Sequence, residues 1–196
     1  MTTTESASVA RRRLVTRGVL GRGVVSGVLA WLAGYLVAYV ARADAVAETL
    51  RSVGFVSELL GGTAVPTWKG VAWLFGNAHF VDVRFPTPFG GTQAVNVLTG
   101  DGTAALLVVP ALVLAVAGAL AAVARAGDLV ERATAGAAVA LGYLPVWVLT
   151  VALGTHALGD TEAAIALDPV TGILVAGVVY PVVFGALGGA VTTKLV

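Results

Sequence analysis

Apolar residues run along this chain in four long stretches free of charge, and the charged positions gather between them. A helix needs roughly 20 residues at ~1.5 Å each to cross a ~30 Å hydrocarbon layer, and a charge at its centre costs about 2.5 to 3.5 kcal/mol. Gly23 to Ala41 supplies 19 uncharged residues between Arg22 and Arg42, and Gly102 to Ala124 supplies 23 between Asp101 and Arg125. A third stretch runs from Ala133 past Trp147, and a fourth from Val170 to Thr193. The pattern divides the chain into a basic tail (1–22), a first transmembrane helix (23–41), an outer region (42–101), a second helix (102–124), a cytoplasmic turn (125–132), a third helix (133–154), an outer loop (155–169) and a fourth helix (170–193). The expected fold class is an all-α membrane protein, a four-transmembrane-helix bundle.

The connection from Arg42 to Gly100 is far longer than the typical 4 to 6 residues, so it is expected to carry structure of its own. Val46, Leu50, Val53, Val56 and Leu60 fall at helical spacing, which predicts an amphipathic helix that continues the first span or lies on the surface until Gly61-Gly62 stops it. Pro66 to Phe80 holds two tryptophans and almost no charge, yet is too short to cross; it reads as an interfacial or re-entrant aromatic helix. Alternation at Val81, Val83 and Phe85, turn residues from Pro86 to Gly91, and the run Ala94 to Leu98 predict a small β-hairpin.

Composition agrees with the pattern: 58% of the residues are hydrophobic and 12% charged, against about 25% charged in soluble domains. The net charge of +1 gives no reason to expect a nucleic-acid partner, so its distribution matters more. With the amino terminus inside, eight basic residues (Arg11, Arg12, Arg13, Arg17, Arg22, Arg125, Arg132 and Lys194) face the cytoplasm and four (Arg42, Arg51, Lys69 and Arg84) face out. That division follows the positive-inside rule and puts both termini in the cytoplasm. Arg11-Arg12-Arg13-Leu14 also resembles a twin-arginine export signal, with Ala41-Arg42-Ala43 as a cleavage site, although Arg17 and Arg22 interrupt the apolar run that a signal would need.

Candidate chemistry is sparse. The chain has no cysteine, no phosphate-binding loop and no Gly-x-Ser-x-Gly elbow. No ionisable residue falls in the middle of any of the four stretches, where ion-coupled transporters generally place one. His79 and Asp82 have the i, i+3 spacing of one helix face, and together with His156 they would reach the minimum for a zinc site only if two loops met. Gly23 with Gly27, and Gly185 with Gly189, have the spacing that lets helices approach closely; Pro110, Pro145 and Pro181 are positioned to kink three spans.

The run Trp68-Lys69, Trp73-Leu74-Phe75, Asn77-Ala78-His79-Phe80-Val81-Asp82, with four spans, an arginine-rich tail and a long first outer loop, resembles a family of uncharacterised haloarchaeal membrane proteins. The resemblance implies a membrane location and no known activity; this chain carries Gly76 where a bulkier aromatic is expected. The leading expectation is a non-enzymatic scaffold or interaction protein with an outward lid and a candidate surface of Trp68, Trp73, Asn77, His79 and Asp82. Its surroundings are the lipid bilayer, and its expected partner is a membrane protein or a second copy of the chain. No catalytic, cofactor or metal residue is expected. Two rivals remain: a channel or permease component with Tyr35, Tyr39, Tyr143 and Thr150 in one polar file, and a membrane-embedded metal enzyme built on the two histidines.

Overall fold

In the computed structural model, residues 3–87, 90–99, 104–123 and 127–194 are described. The first helix, α1 (Thr3–Leu59), takes in both the basic tail and the amphipathic stretch, so the latter continues the first apolar stretch rather than lying apart from it. Gly61, with φ at 82°, ends it, as the glycine pair predicts. Next come α2 (Thr67–Asn77), β1 (Val83–Pro86) and β2 (Thr92–Val95), and then α3 (Val109–Ala122). The third apolar stretch forms α4 (Leu129–Ala137) and α5 (Ala140–Gly154), separated by a tight turn in which the Val139 amide bonds to the Gly136 carbonyl. Asp128 caps α4 by accepting the Glu131 amide at 2.9 Å, which moves the helix start ahead of the expected Ala133. The last run, α6 (Pro169–Val191), follows the short strands β3 (His156–Ala157) and β4 (Ala164–Leu167).

Four helical runs, Gly18–Leu59, Ala105–Ala122, Leu129–Gly154 and Pro169–Val191, are long and apolar enough to cross a membrane. They pack through glycine. A Cβ on Gly185 would lie 2.6 Å from the Gly136 carbonyl oxygen, and one on Gly189 would strike the Arg132 carbonyl, so α4 and α6 touch backbone to backbone. Gly27 meets Val139 and Tyr143 of the third run in the same way, while a Cβ on Gly23 would lie 2.6 Å from that of Ala138. Both glycine pairs singled out by spacing are therefore close contacts.

The prolines behave differently from one another. Pro110 sits in the first turn of α3, where its missing N–H costs nothing, and so bends no helix. Pro145 lies inside α5. Pro181 follows a widened segment, Gly172–Val179, in which the Tyr180 amide reaches back five residues to the Val175 carbonyl. Widening of this kind accommodates a proline ring that would clash with the carbonyl four residues earlier.

The hairpin expected from alternation is present, with Val83 opposite Val95 and Pro86 opposite Thr92. It belongs to a larger antiparallel sheet in the order β2-β1-β4-β3, where Val83 also faces Leu167. Two connections distant in sequence thus form one cap. At the opposite end, the buried guanidinium of Arg132 donates to the Thr192 carbonyl at 3.1 Å and to its hydroxyl at 3.2 Å, tying α4 to the end of α6.

Candidate functional site

The aromatic segment forms α2, and that helix runs inward among the long helices. Its contacts with α5 step down together: Lys69 donates to the Thr155 carbonyl at 2.5 Å, the Trp73 indole to the Gly154 carbonyl at 2.8 Å, Phe75 stacks on Trp147 at 5.8 Å, and His79 meets Tyr143. Thr155, just past the end of α5, lies twelve positions beyond Tyr143, about 18 Å at the helical rise. The other neighbours agree, since Phe75 packs edge-on to Trp31 of α1 at 5.9 Å and His79 lies 5.0 Å from the Tyr180 ring, well inside α6.

The chain turns at the inner end of this helix. Phe80 has φ at 60°, the Val81 amide bonds to the Gly76 carbonyl and the Phe80 amide to the Asn77 carbonyl. These two bonds make a Schellman stop with a phenylalanine where glycine is usual. Gly76 sits close against β4: a Cβ there would strike the Leu167 Cδ2, so a larger residue would require that buried leucine to move. Because α2 ends at Asn77, His79 and Asp82 do not share a helix face, which corrects the reading from their spacing.

Asn77 fastens the cap to the helix. Its amide nitrogen donates to the carbonyls of Val81 at 2.8 Å and Val95 at 3.4 Å, its side-chain oxygen accepts the Val97 amide at 3.1 Å, and its carbonyl accepts from Asn96. His79 is wholly buried. Its Nδ1 lies 2.7 Å from the Phe75 carbonyl, which only accepts, so Nδ1 carries the proton and Nε2 accepts from the Tyr143 hydroxyl at 2.8 Å. A neutral imidazole is thereby satisfied on both sides. Trp68, in contrast, is 42% exposed under the Lys69 ammonium, which lies 5.6 Å from the centre of its ring. Asp82 is half-buried, and its carbonyl accepts the Asp168 amide at 2.9 Å.

Five residues expected to share one surface therefore divide: Trp73, Asn77 and His79 turn inward, Trp68 remains on the surface, and Asp82 joins the cap. His156 bonds through Nε2 to the Thr63 carbonyl at 3.2 Å, far along the chain from the partners of His79, and among the described residues no group of three His, Cys, Asp or Glu could hold a metal. The proposed polar file is also divided. Tyr35 and Thr150 border one mainly apolar cleft of about 240 Å³, but Tyr143 is committed to His79.

Sequence reasoning missed two features. An imidazole does occupy the middle of the helical assembly, delivered by α2 rather than by one of the four apolar stretches. The second is Asp168, which joins β4 to α6. Partial burial pushes its carboxyl up, but the Thr171 amide and hydroxyl and the Arg84 guanidinium outweigh that effect and hold it below the usual carboxylate range.

The fold defines a helical protein with four runs apolar enough for a membrane, closed at one end by a small sheet and an inserted half-length helix. The chain belongs to DUF7978, a family of unknown function whose model matches residues 1–195. No curated protein matches the chain, and no solved structure does.

Proposed function

We propose that the chain is an integral membrane protein crossing the bilayer four times, with both termini cytoplasmic, and that it acts as a non-enzymatic scaffold whose outward cap is an assembly surface. The membrane placement is supported by Leu29, Leu36, Leu112, Leu120, Leu149 and Leu187, each more than half exposed on a long apolar helix. Water would not tolerate such a belt, whereas lipid is the solvent it suits. The eight-to-four division of basic residues supports the direction. In this frame α2 is a re-entrant half-helix, entering from the outer side and turning back at Phe80.

One observation carries the scaffold reading: the side-chain hydrogen-bonding groups of Trp73, Asn77 and His79 are spent on the chain's own backbone and on Tyr143. A segment bonded in this way fastens a cap. Trp68 and the exposed Phe55, Val56 and Leu59 at the outer end of α1 remain for contact with a membrane-protein partner or a second copy.

Gently solubilised membranes test the reading. The chain is expected to migrate as an assembly larger than one protomer, and the pair Trp68→Ser with Phe55→Ser is expected to reduce it to the protomer without unfolding it. Purified chain in liposomes should pass no ions or small solutes. Flux above that of empty liposomes would favour the channel or permease reading, and a single protomer throughout would remove the assembly surface.

A further inference from the structure

The cleft of about 240 Å³ bordered by Tyr35 and Thr150 lies between α1, α2 and α5. Its lining steps inward on all three helices together, from Tyr35 to Trp31 on α1, from Trp68 to Ala72 on α2 and from Leu153 to Val146 on α5. Leu153 and Val146 are seven positions apart, about 10 Å at the helical rise. Leu149 and Leu153, on the rim, are 57% and 62% exposed, so the cleft opens sideways, toward the outer-leaflet hydrocarbon in the topology proposed above. Its polar groups are spent. The Tyr35 hydroxyl donates to the Trp68 carbonyl at 3.1 Å and the Thr150 hydroxyl to the Val146 carbonyl at 2.7 Å, while the unpaired Trp31 Nε1 is shielded from solvent and offers the cleft no donor. The outer mouth, in contrast, carries a charge. The Lys69 ammonium lies 5.6 Å from the centre of the Trp68 ring and donates to the carbonyl of Thr155, the first residue beyond the third apolar stretch, where hydrocarbon would give way to headgroups. That bond uses one of its three N–H groups, and among the described residues Lys69 forms no ion pair.

We propose that this cleft holds one acyl chain of an anionic phospholipid from the outer leaflet, with the lipid phosphate at the Lys69 ammonium. The chain descends from Trp68 and Leu153 toward Trp31 and Val146, which is the direction every outer-leaflet chain takes. Apolar walls around a void lose dispersion contacts that a methylene chain restores. The ammonium favours a lipid of net negative charge over phosphatidylcholine, whose own quaternary amine balances its phosphate. Inorganic phosphate would leave the walls wet or empty. The inference rests on the membrane placement proposed above and is independent of the scaffold role.

The test uses the full chain in vesicles of phosphatidylcholine containing a minor fraction of phosphatidylglycerol with the same acyl chains, followed by mild detergent extraction and native mass spectrometry. One phosphatidylglycerol per chain is expected to be retained, enriched about five-fold over its fraction in the vesicle, the preference that one lysine near anionic lipid supplies. Phosphatidylglycerol, and not inorganic phosphate, should also raise the melting temperature of delipidated chain. Lys69→Gln should bring the retained lipid back to the vesicle ratio, and Lys69→Arg should keep the enrichment. Val146→Phe, which fills the inner end of the cleft and leaves the charge, should lower the amount of lipid retained. Proportional retention of the two lipids by the unaltered chain overturns the proposal, as does unchanged enrichment in Lys69→Gln or unchanged retention in Val146→Phe. An equal rise in melting temperature with inorganic phosphate overturns it in favour of a small-anion site. If Lys69→Gln fails to fold, the enrichment on the unaltered chain and the retention by Val146→Phe still decide. Failure of the chain to float with vesicles at all would instead sink the membrane placement.

Discussion

His79 and Tyr143 stand 64 residues apart in sequence, yet the imidazole Nε2 and the phenol oxygen lie 2.8 Å apart with both rings fully buried. The bond joins the tip of an inserted helix to the middle of a long one. Around it, Phe75 lies 4.8 Å and Trp147 4.9 Å from the imidazole, each edge to face, so the polar pair is sealed in an aromatic box. A buried hydrogen bond held this way contributes about 0.5 to 1.5 kcal/mol, and leaving one partner alone costs about 1 to 3 kcal/mol.

Removing His79 should therefore harm stability more than removing the bond from the other side. His79→Ala opens a cavity and strands the Tyr143 hydroxyl, so a loss of about 2 to 4 kcal/mol is expected. Tyr143→Phe keeps the ring and leaves Nε2 unpaired, for about 1 to 2 kcal/mol. Reversible unfolding in mild detergent measures both, and the double variant should lose less than the sum of the two. Strict additivity would show that the pair is not coupled.

Gly185→Leu is expected to unfold the contact between α4 and α6, because even a Cβ at Gly185 would come within 2.6 Å of the Gly136 carbonyl. The control is Leu187→Ile, at a side chain that is 56% exposed. The melting temperature should fall sharply for the first and hardly move for the second. Equal melting temperatures would mean that the helices can separate without loss.

Orientation can be read with single cysteines in intact cells. Thr92 and Glu162 lie exposed at the cap, and Val130 lies exposed near the start of α4 at the other end. An impermeant thiol reagent should label Cys at Thr92 and Glu162 and leave Cys at Val130 untouched until the membrane is opened. Thr192 would be a poor probe because its side chain is buried against Arg132. Labelling at Val130 in sealed cells would invert the topology.

Asp168 should give the cap an acid-sensitive component. Its folded carboxyl sits below the unfolded value, so the stabilisation is present above that unfolded value, near pH 4, and fades as pH drops through the folded one. Asp168→Asn should lower stability at neutral pH and flatten the acid limb of the stability curve, since an amide does not titrate. An unchanged acid limb, followed by thermal unfolding from pH 6 to pH 3, would assign the loss to other carboxylates.

The sequence alone determined where the four apolar helices lie, because the requirement for about 20 uncharged residues leaves few alternatives. It also determined the glycine contacts, the stop at Gly61-Gly62 and the hairpin, all of which depend on local spacing or on backbone freedom near in the chain. It placed a helix between Pro66 and Phe80 and left open whether that helix lay flat or turned inward. Tertiary structure decided this, since the direction of α2 depends on Trp31, Trp147 and Tyr180, each contributed by a different helix. For the same reason His79 could be read as an outer-loop residue and still occupy the middle of the assembly. The pairing of β1 with β4 and the cleft between α1, α2 and α5 likewise join segments far apart in sequence, and no periodicity within any one segment encodes which partner it will meet.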